Sequence, residues 1–307
     1  MTERSPLPRL SGVPAAFGRV SELAFQTLRQ LSRMKVFYFL VFFAIIVIGS
    51  SMFVLRYNSP EQELKLLKDF SFFGMTLFSS LLAIVGTAML LPRDIEDRTL
   101  YTILCKPVPR VEYLCGKLLG VLALVGISLL LMDAFFTLVL YARQSLMLAE
   151  QEALFREAGA GPEAAEAWEL MRQTILANGV GWSLQSAIVA IFIKAAVIAA
   201  LALLLSTFAS SSLFTMVTAA VVYFAGHLQA DMRAFYETMP GWESYAKMIS
   251  VPLAVLLPDF QLFNVVDAAV AGEAIGWDVL GKLAGFGGGY VLIYMLLAWY
   301  VFQDKEI

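Results

Sequence analysis

An all-α integral membrane protein is the fold class that this sequence predicts, and three observations carry it. Of 307 residues, 59% are hydrophobic and only 15% are charged, less charge than a soluble domain of this size carries. Mean hydropathy is +0.74, which points to a membrane rather than to a large soluble core. Six stretches are long and apolar enough to cross a bilayer, whose ~30 Å core takes ~20 helical residues at ~1.5 Å each. They lie near 36–55, 70–91, 116–141, 185–206, 211–230 and 283–302.

The first 35 residues read as a cytoplasmic tail. They hold no short apolar core with a small-residue cleavage site, so the first span is expected to act as the insertion signal. Residues 17–34 fit an amphipathic helix. At ~100° per residue, Phe17, Val20, Ala24, Leu28 and Leu31 fall on one side. Arg19, Glu22, Gln26, Arg29, Gln30 and Arg33 fall on the other. Such a helix, placed just before a span, is expected to lie in the cytosolic interface. Arg19, Arg29 and Arg33 would then meet anionic head groups of membrane lipids.

Orientation follows the distribution of Lys and Arg. The tail carries six, the 92–117 loop five, and the 56–69 and 142–184 segments three each. The positive-inside rule puts the tail and the 92–117 loop in the cytoplasm, and six spans bring the C-terminus back there. Residues 36–307 then form one six-helix domain.

The 142–184 segment reads as an external helical hairpin, suited to capping or to docking a partner. Ala and Glu dominate 149–170, Pro162 is placed to open a second helix, and Asn178-Gly-Val-Gly181 ends it. Residues 231–282 form the last external segment. Its apolar run Met248–Leu257 is too short to span, holds Pro252 and is followed by Pro258, so re-entrant helices are expected. Gly281, Gly285 and Gly289 form a small-residue ladder that predicts close helix packing at the sixth span.

Three ionisable groups fall within spans. Asp133 and Lys194 lie ~12–14 Å inside the outer ends of neighbouring antiparallel spans, which predicts an intramembrane ion pair. His227 sits near the outer boundary of span five and is expected to be interfacial.

Other chemistry is not expected of the chain alone. Net charge is −3, so no basic surface points to nucleic acid. Cys105 and Cys115 are too few for a disulfide framework or a zinc site. The 13 methionines are scattered and form no copper path. A single histidine excludes a multi-histidine metal site, and no nucleophile motif or paired intramembrane aspartates appear. Gly276 to Lys282 has the spacing of a phosphate loop, but Leu283 replaces the magnesium-binding Ser or Thr and no strand pattern precedes it. It is a chance match.

The loop between spans two and three carries a motif. Glu96 precedes Thr99 and Leu100, Ile103 and Leu104 form an apolar pair, and Pro107, Val108, Arg110, Glu112 and Gly116-Lys117 follow. Asp94, Glu96 and Asp97 favour the N-terminus of a short helix over 95–104, which Pro107 and Pro109 stop. This pattern resembles the permease subunits of ABC-2-type transporters, in the branch of the nitrous-oxide-reductase maturation and gliding-motility permeases. Those proteins carry a glycine where Arg98 stands and a serine where Pro109 stands. Leu257-Pro258-Asp-Phe260-Gln-Leu262-Phe263 resembles the segment that precedes their last span.

The resemblance implies a multi-pass permease of a prokaryotic inner (plasma) membrane. ATP and magnesium would be bound by separate ATPase subunits, and a second permease copy, identical or homologous, would complete the pathway. Asp94, Glu96, Arg98, Thr99, Leu100, Leu104, Pro107, Arg110 and Glu112 would take the push of the ATPase, while Pro258, Phe260 and Phe263 would shape the re-entrant segment. The outcome is export or mechanical transmission. A non-ABC membrane carrier or an assembly scaffold remains the alternative reading.

Overall fold

A computed structural model describes residues 13–54, 60–96, 109–157, 162–209, 211–238, 257–273 and 275–304. Among them all regular structure is helical. The order is α1 (Val13–Ser32), α2 (Lys35–Val54), α3 (Pro60–Ala88), α4 (Leu90–Glu96), α5 (Arg110–Glu157) and α6 (Pro162–Ala177). Then follow α7 (Trp182–Phe208), α8 (Ser212–Thr238), a 3-10 turn (Phe260–Phe263), α9 (Val266–Ala271) and α10 (Trp277–Asp304).

Five segments are helical, long and apolar enough to cross a bilayer: Gln62–Pro92, Arg110–Glu157, Ala165–Phe208, Ser212–Gln229 and Trp277–Gln303. They mark a membrane-embedded protein. The third is broken by the turn at 178–181, so its apolar part is α7. In α2, also 20 residues long, the described apolar stretch Leu40–Ser50 is shorter than a span.

The bundle is built around α7. From Ser183 to Phe208 it contains neither Gly nor Pro, which leaves its hydrogen-bond ladder unbroken. Ala187, Ala190, Ala195, Ala199 and Ala202 are fully buried, and these small side chains let α3, α5, α8 and α10 close on it.

The central helix α5 has 48 residues, so it is ~72 Å long and far exceeds the ~30 Å apolar core of a bilayer. Its second half therefore projects from the bundle. The predicted hairpin is present, with one difference: its first arm is the unbroken continuation of α5 rather than a separate helix. No helix breaker stands between Leu140 and Glu157, and nothing stops the ladder at the expected end of the span. The second arm, α6, opens at Pro162 as expected. Phe155 stacks on Trp168 at 6.1 Å between centroids, and Gln144 donates to the Ile175 carbonyl at 3.2 Å.

The amphipathic lead-in helix is present as α1, but it does not lie across the ends of the spans. It runs lengthwise beside the first turns of α5 in a constant register. Arg19 meets Glu112, Leu23 meets Gly116 and Thr27 meets Gly120. The two glycines set this geometry. A Cβ on Gly116 would sit 2.5 Å from the Leu23 Cβ, and one on Gly120 would sit 2.5 Å from the Thr27 Cβ and 2.7 Å from the Ala24 carbonyl. Leu31 and Thr27 are buried in the contact. Phe17, on the apolar side of the wheel, is 77% exposed and does not take part in the contact with α5.

Among the described residues the expected glycine ladder on α10 makes no close contact: nothing lies near a Cβ built on Gly281, Gly285 or Gly289. The close approach occurs at Gly287, which packs on Ile193 and Phe263.

Gly116→Leu or Gly120→Leu is expected to force α1 away from α5. Such overpacking destabilises by roughly 1–3 kcal/mol. It is read as a lower thermal midpoint in detergent and faster tryptic cleavage at Arg19 and Arg29. Gly281→Leu, on the open face, should change neither.

Candidate functional site

Sequence motifs place the functional interest at 92–117, and the structure defines both ends of that segment. Arg98, Thr99, Leu100, Leu104 and Pro107, the greater part of the expected 95–104 helix and Cys105 lie outside the described residues. So does the side chain of Glu96, the last residue of α4. What is described is a polar clamp that holds the two flanks.

On the first flank, α4 delivers Asp94 into the bundle. Its Oδ2 lies 2.6 Å from Lys117 Nζ, and both side chains are 6% exposed. Tyr113 Oη donates to the same oxygen at 2.5 Å. Tyr113 and Lys117 are one turn apart on α5, so both reach the carboxylate. A buried ion pair is tolerable only when further hydrogen bonds satisfy its charges, and the tyrosine supplies one.

On the second flank, α5 begins at Arg110. Its guanidinium donates to the carbonyls of Phe302 at 2.5 Å and Gln303 at 2.7 Å, and lies 5.6 Å over the Phe302 ring. These carbonyls end α10, where a cation meets the negative end of the helix dipole. Phe302 also stacks on Tyr113 at 6.0 Å and 12°. One turn into α5, Glu112 accepts a forked pair of bonds from Arg19 at 2.7 and 2.8 Å. This bidentate geometry is the strong form of the carboxylate–guanidinium contact. The same hydrogen bonds hold the Arg19 guanidinium above its ordinary pKa.

Four elements thus meet at one place: α1 through Arg19, α4 through Asp94, α5 through Arg110, Glu112, Tyr113 and Lys117, and α10 through its last turn. Arg29 and Arg33 do not join them. Arg29 is exposed, with its guanidinium 4.7 Å over the Phe25 ring, and Arg33 is exposed.

The expected Asp133–Lys194 ion pair does not form. Asp133 Oδ1 accepts from Gln185 Nε2 and Thr137 Oγ1, each at 3.3 Å. Lys194 Nζ instead lies 2.8 Å from His227 Nε2. The reason is register. The antiparallel pairing of α5 with α7 sets Asp133 opposite Gln185, and Lys194 is nine residues further on, ~13 Å along the helix. His227, on α8, meets Lys194 close to the midpoint of the 27-residue α7.

Pro258, Phe260 and Phe263 are all buried. They form a wedge whose irregular backbone sits among the long helices. Phe260 fills the space left by Gly226 on α8, and a Cβ built on Gly287 of α10 would sit 3.4 Å from the Phe263 ring. Gln261 Nε2 donates to the His227 carbonyl at 3.0 Å. Residues 239–256, which hold the rest of the expected re-entrant run, lie outside the described residues.

Sequence reasoning missed Tyr113 and Lys117 as partners of Asp94, and Arg19 as the partner of Glu112. The spacing Tyr113-x3-Lys117 was a signal for the first, since both face one side of a helix. No local signal pairs residues 93 positions apart, as Arg19 and Glu112 are. Among the described residues no three His, Cys, Asp or Glu side chains come together as a metal site. No protein-family model matches the chain, and no curated protein matches it either.

Lys117→Met leaves Asp94 buried without its cation. Breaking a buried pair in this way destabilises by about 3–5 kcal/mol. Combining it with Asp94→Leu should recover most of that loss in chemical or thermal unfolding. A double variant no more stable than the single one would show that the pair is not the stabilising unit.

Proposed function

We propose that this chain is the permease subunit of an ATP-driven ABC-2-type transporter. Six spans cross a prokaryotic inner membrane, formed by α2, α3 with α4, α5, α7, α8 and α10. Both termini and the 97–108 segment are cytoplasmic. ATP and magnesium act on separate ATPase subunits, whose closure pushes the segment between Glu96 and Arg110. The work done is export or transmission of force across the membrane.

One observation carries this reading beyond the motif resemblance. The two flanks of the motif segment are tied rigidly to α1, α5 and α10 by the clamp around Asp94, Lys117, Glu112 and Arg110. A push on the segment is then delivered to several long helices at once. Clamped flanks are what a lever requires and what a passive connector does not.

Other features fit the expected partners. Along α10, Gly281, Gly285 and Gly289 stand open beside exposed Phe286 and Leu292, a surface suited to a second permease copy. On the projecting hairpin, Leu154, Leu170 and Met171 are exposed, which suits an extracytoplasmic partner. Exposed Phe17 and Phe25 suit insertion into lipid.

The test is to purify the full chain from its membrane together with whatever copurifies and to measure nucleotide hydrolysis. Arg110→Ala and Glu96→Ala are each expected to weaken coupled turnover while leaving membrane insertion intact. Normal turnover in both variants, or the absence of any nucleotide-hydrolysing companion, would overturn the proposal. Replacing the exposed Phe17 and Phe25 by Ser is expected to reduce protection of α1 by lipid.

A further inference from the structure

Lys194 and His227 form a polar node in the most apolar part of the bundle. Lys194 is 6% exposed and lies ~18 Å from the start of α7 at 1.5 Å per residue. An ammonium group buried at such a depth is costly unless an acceptor satisfies it. Its acceptor here is an imidazole nitrogen, at 2.8 Å.

The hydrogen-bond network assigns the tautomer. His227 Nδ1 lies 2.9 Å from the Tyr223 carbonyl, which can only accept. Nδ1 therefore carries the hydrogen, and the Nε2 lone pair accepts from Lys194. A second proton can enter only at Nε2. It would remove the acceptor and set an imidazolium against an ammonium at contact distance.

The surroundings decide where the ring would go. Lys194 on α7 lies against the ring at 2.8 Å, and Asp259 sits on the turn that packs against α8, next to Phe260. Tyr223 is the ionisable neighbour on its own helix, and α3 presents Ser80 to that tyrosine. Asp259 is itself 7% exposed, and its Oδ1 accepts from the Gln261 amide at 3.0 Å. The Phe260 ring lies 5.4 Å from the imidazole, so the turn carrying Asp259 is already beside it.

We infer that His227 is a proton-binding site in the middle of the bundle, and that the proton changes its partner. Neutral, His227 accepts from Lys194 and ties α8 to α7. Protonated, it turns to Asp259 and ties α8 to the Pro258–Phe263 wedge, leaving α7 free to separate. The proton comes from a hydronium ion: its O–H bond breaks as the N–H bond at Nε2 forms, and a water molecule leaves. The ligand is the proton alone.

His227 is the sole histidine of the chain, so ring-15N-histidine gives one imidazole signal. The full chain in lipid nanodiscs is titrated across the range in which imidazole ionises. In parallel, spin labels at Val189 on α7 and Leu228 on α8, both exposed, report the separation of the helices in a Cys105→Ser, Cys115→Ser background. As the imidazolium signal appears, the wide-separation population is expected to rise at least about tenfold. His227→Gln cannot titrate, and Lys194→Met cannot repel, so each should abolish the response. Persistence of the response in either variant overturns the inference. So does an imidazolium that forms without any change in separation, or a ring that never protonates while the protein is folded. If one variant fails to fold, the other and the wild-type titration still decide. No nucleotide or ATPase enters the measurement, so its failure leaves the permease reading untouched, and the reverse holds too.

Discussion

The buried contact of Asp94 with Lys117 and Tyr113 is the constraint on which the inner end of this molecule depends. Both charges are almost fully out of water, and each satisfies the other. Removing either partner breaks a buried ion pair, which is costly, so α4 and α5 are held in one relative position. That position sets the rest. Once Tyr113 is fixed, its stack on Phe302 places the last turn of α10, and Arg110 then closes on the carbonyls there. Glu112, one residue before Tyr113, is left facing outward to receive Arg19.

The outer and middle parts of the bundle obey a different rule. There the helices approach through small residues and are filled by aromatic ones. Alanines line the buried faces of α7, Gly226 accepts Phe260, and Gly287 accepts Ile193 and Phe263. Into this apolar packing the chain sets one polar tie, between Lys194 and His227. In a low-dielectric interior such a contact is strong while its protons are in place and repulsive when one is added. The wedge at Pro258–Phe263 has irregular backbone, which at membrane depth must be enclosed by protein. The burial of Phe260 and Phe263 meets that requirement.

The local grammar of the chain was largely readable. Pro162 opens α6, the Asn178–Gly179 turn closes it, and the apolar runs became α3, α5, α7, α8 and α10. The amphipathic residues before the first span became α1. Each of these rests on neighbouring residues, because capping, turn chemistry and hydropathy are properties of short windows. The errors came where a window was extrapolated across the bundle. Counting from assumed span ends paired Asp133 with Lys194, but α5 ran on past Leu140 and carried the register with it. The helical wheel of α1 grouped Val20, Ala24, Leu31 and Phe17 on one apolar side, but could not tell which of them meet α5 and which, like Phe17, stay exposed.

By itself, then, the amino-acid order determined that the chain is helical and membrane-embedded, where the apolar stretch of each long helix lies, and which loop carries the charged motif. Hydropathy and backbone chemistry decide these before any helix meets another. Only the tertiary structure decided that Gly116 and Gly120, rather than the ladder on α10, mark the close crossing within the chain. It also decided that Asp94 belongs to Lys117, Glu112 to Arg19, and Lys194 to His227. Partner choice among buried charges depends on the axial register and rotation of whole helices. A shift of one turn, ~5.4 Å, exchanges one partner for another while leaving every local pattern in the sequence unchanged.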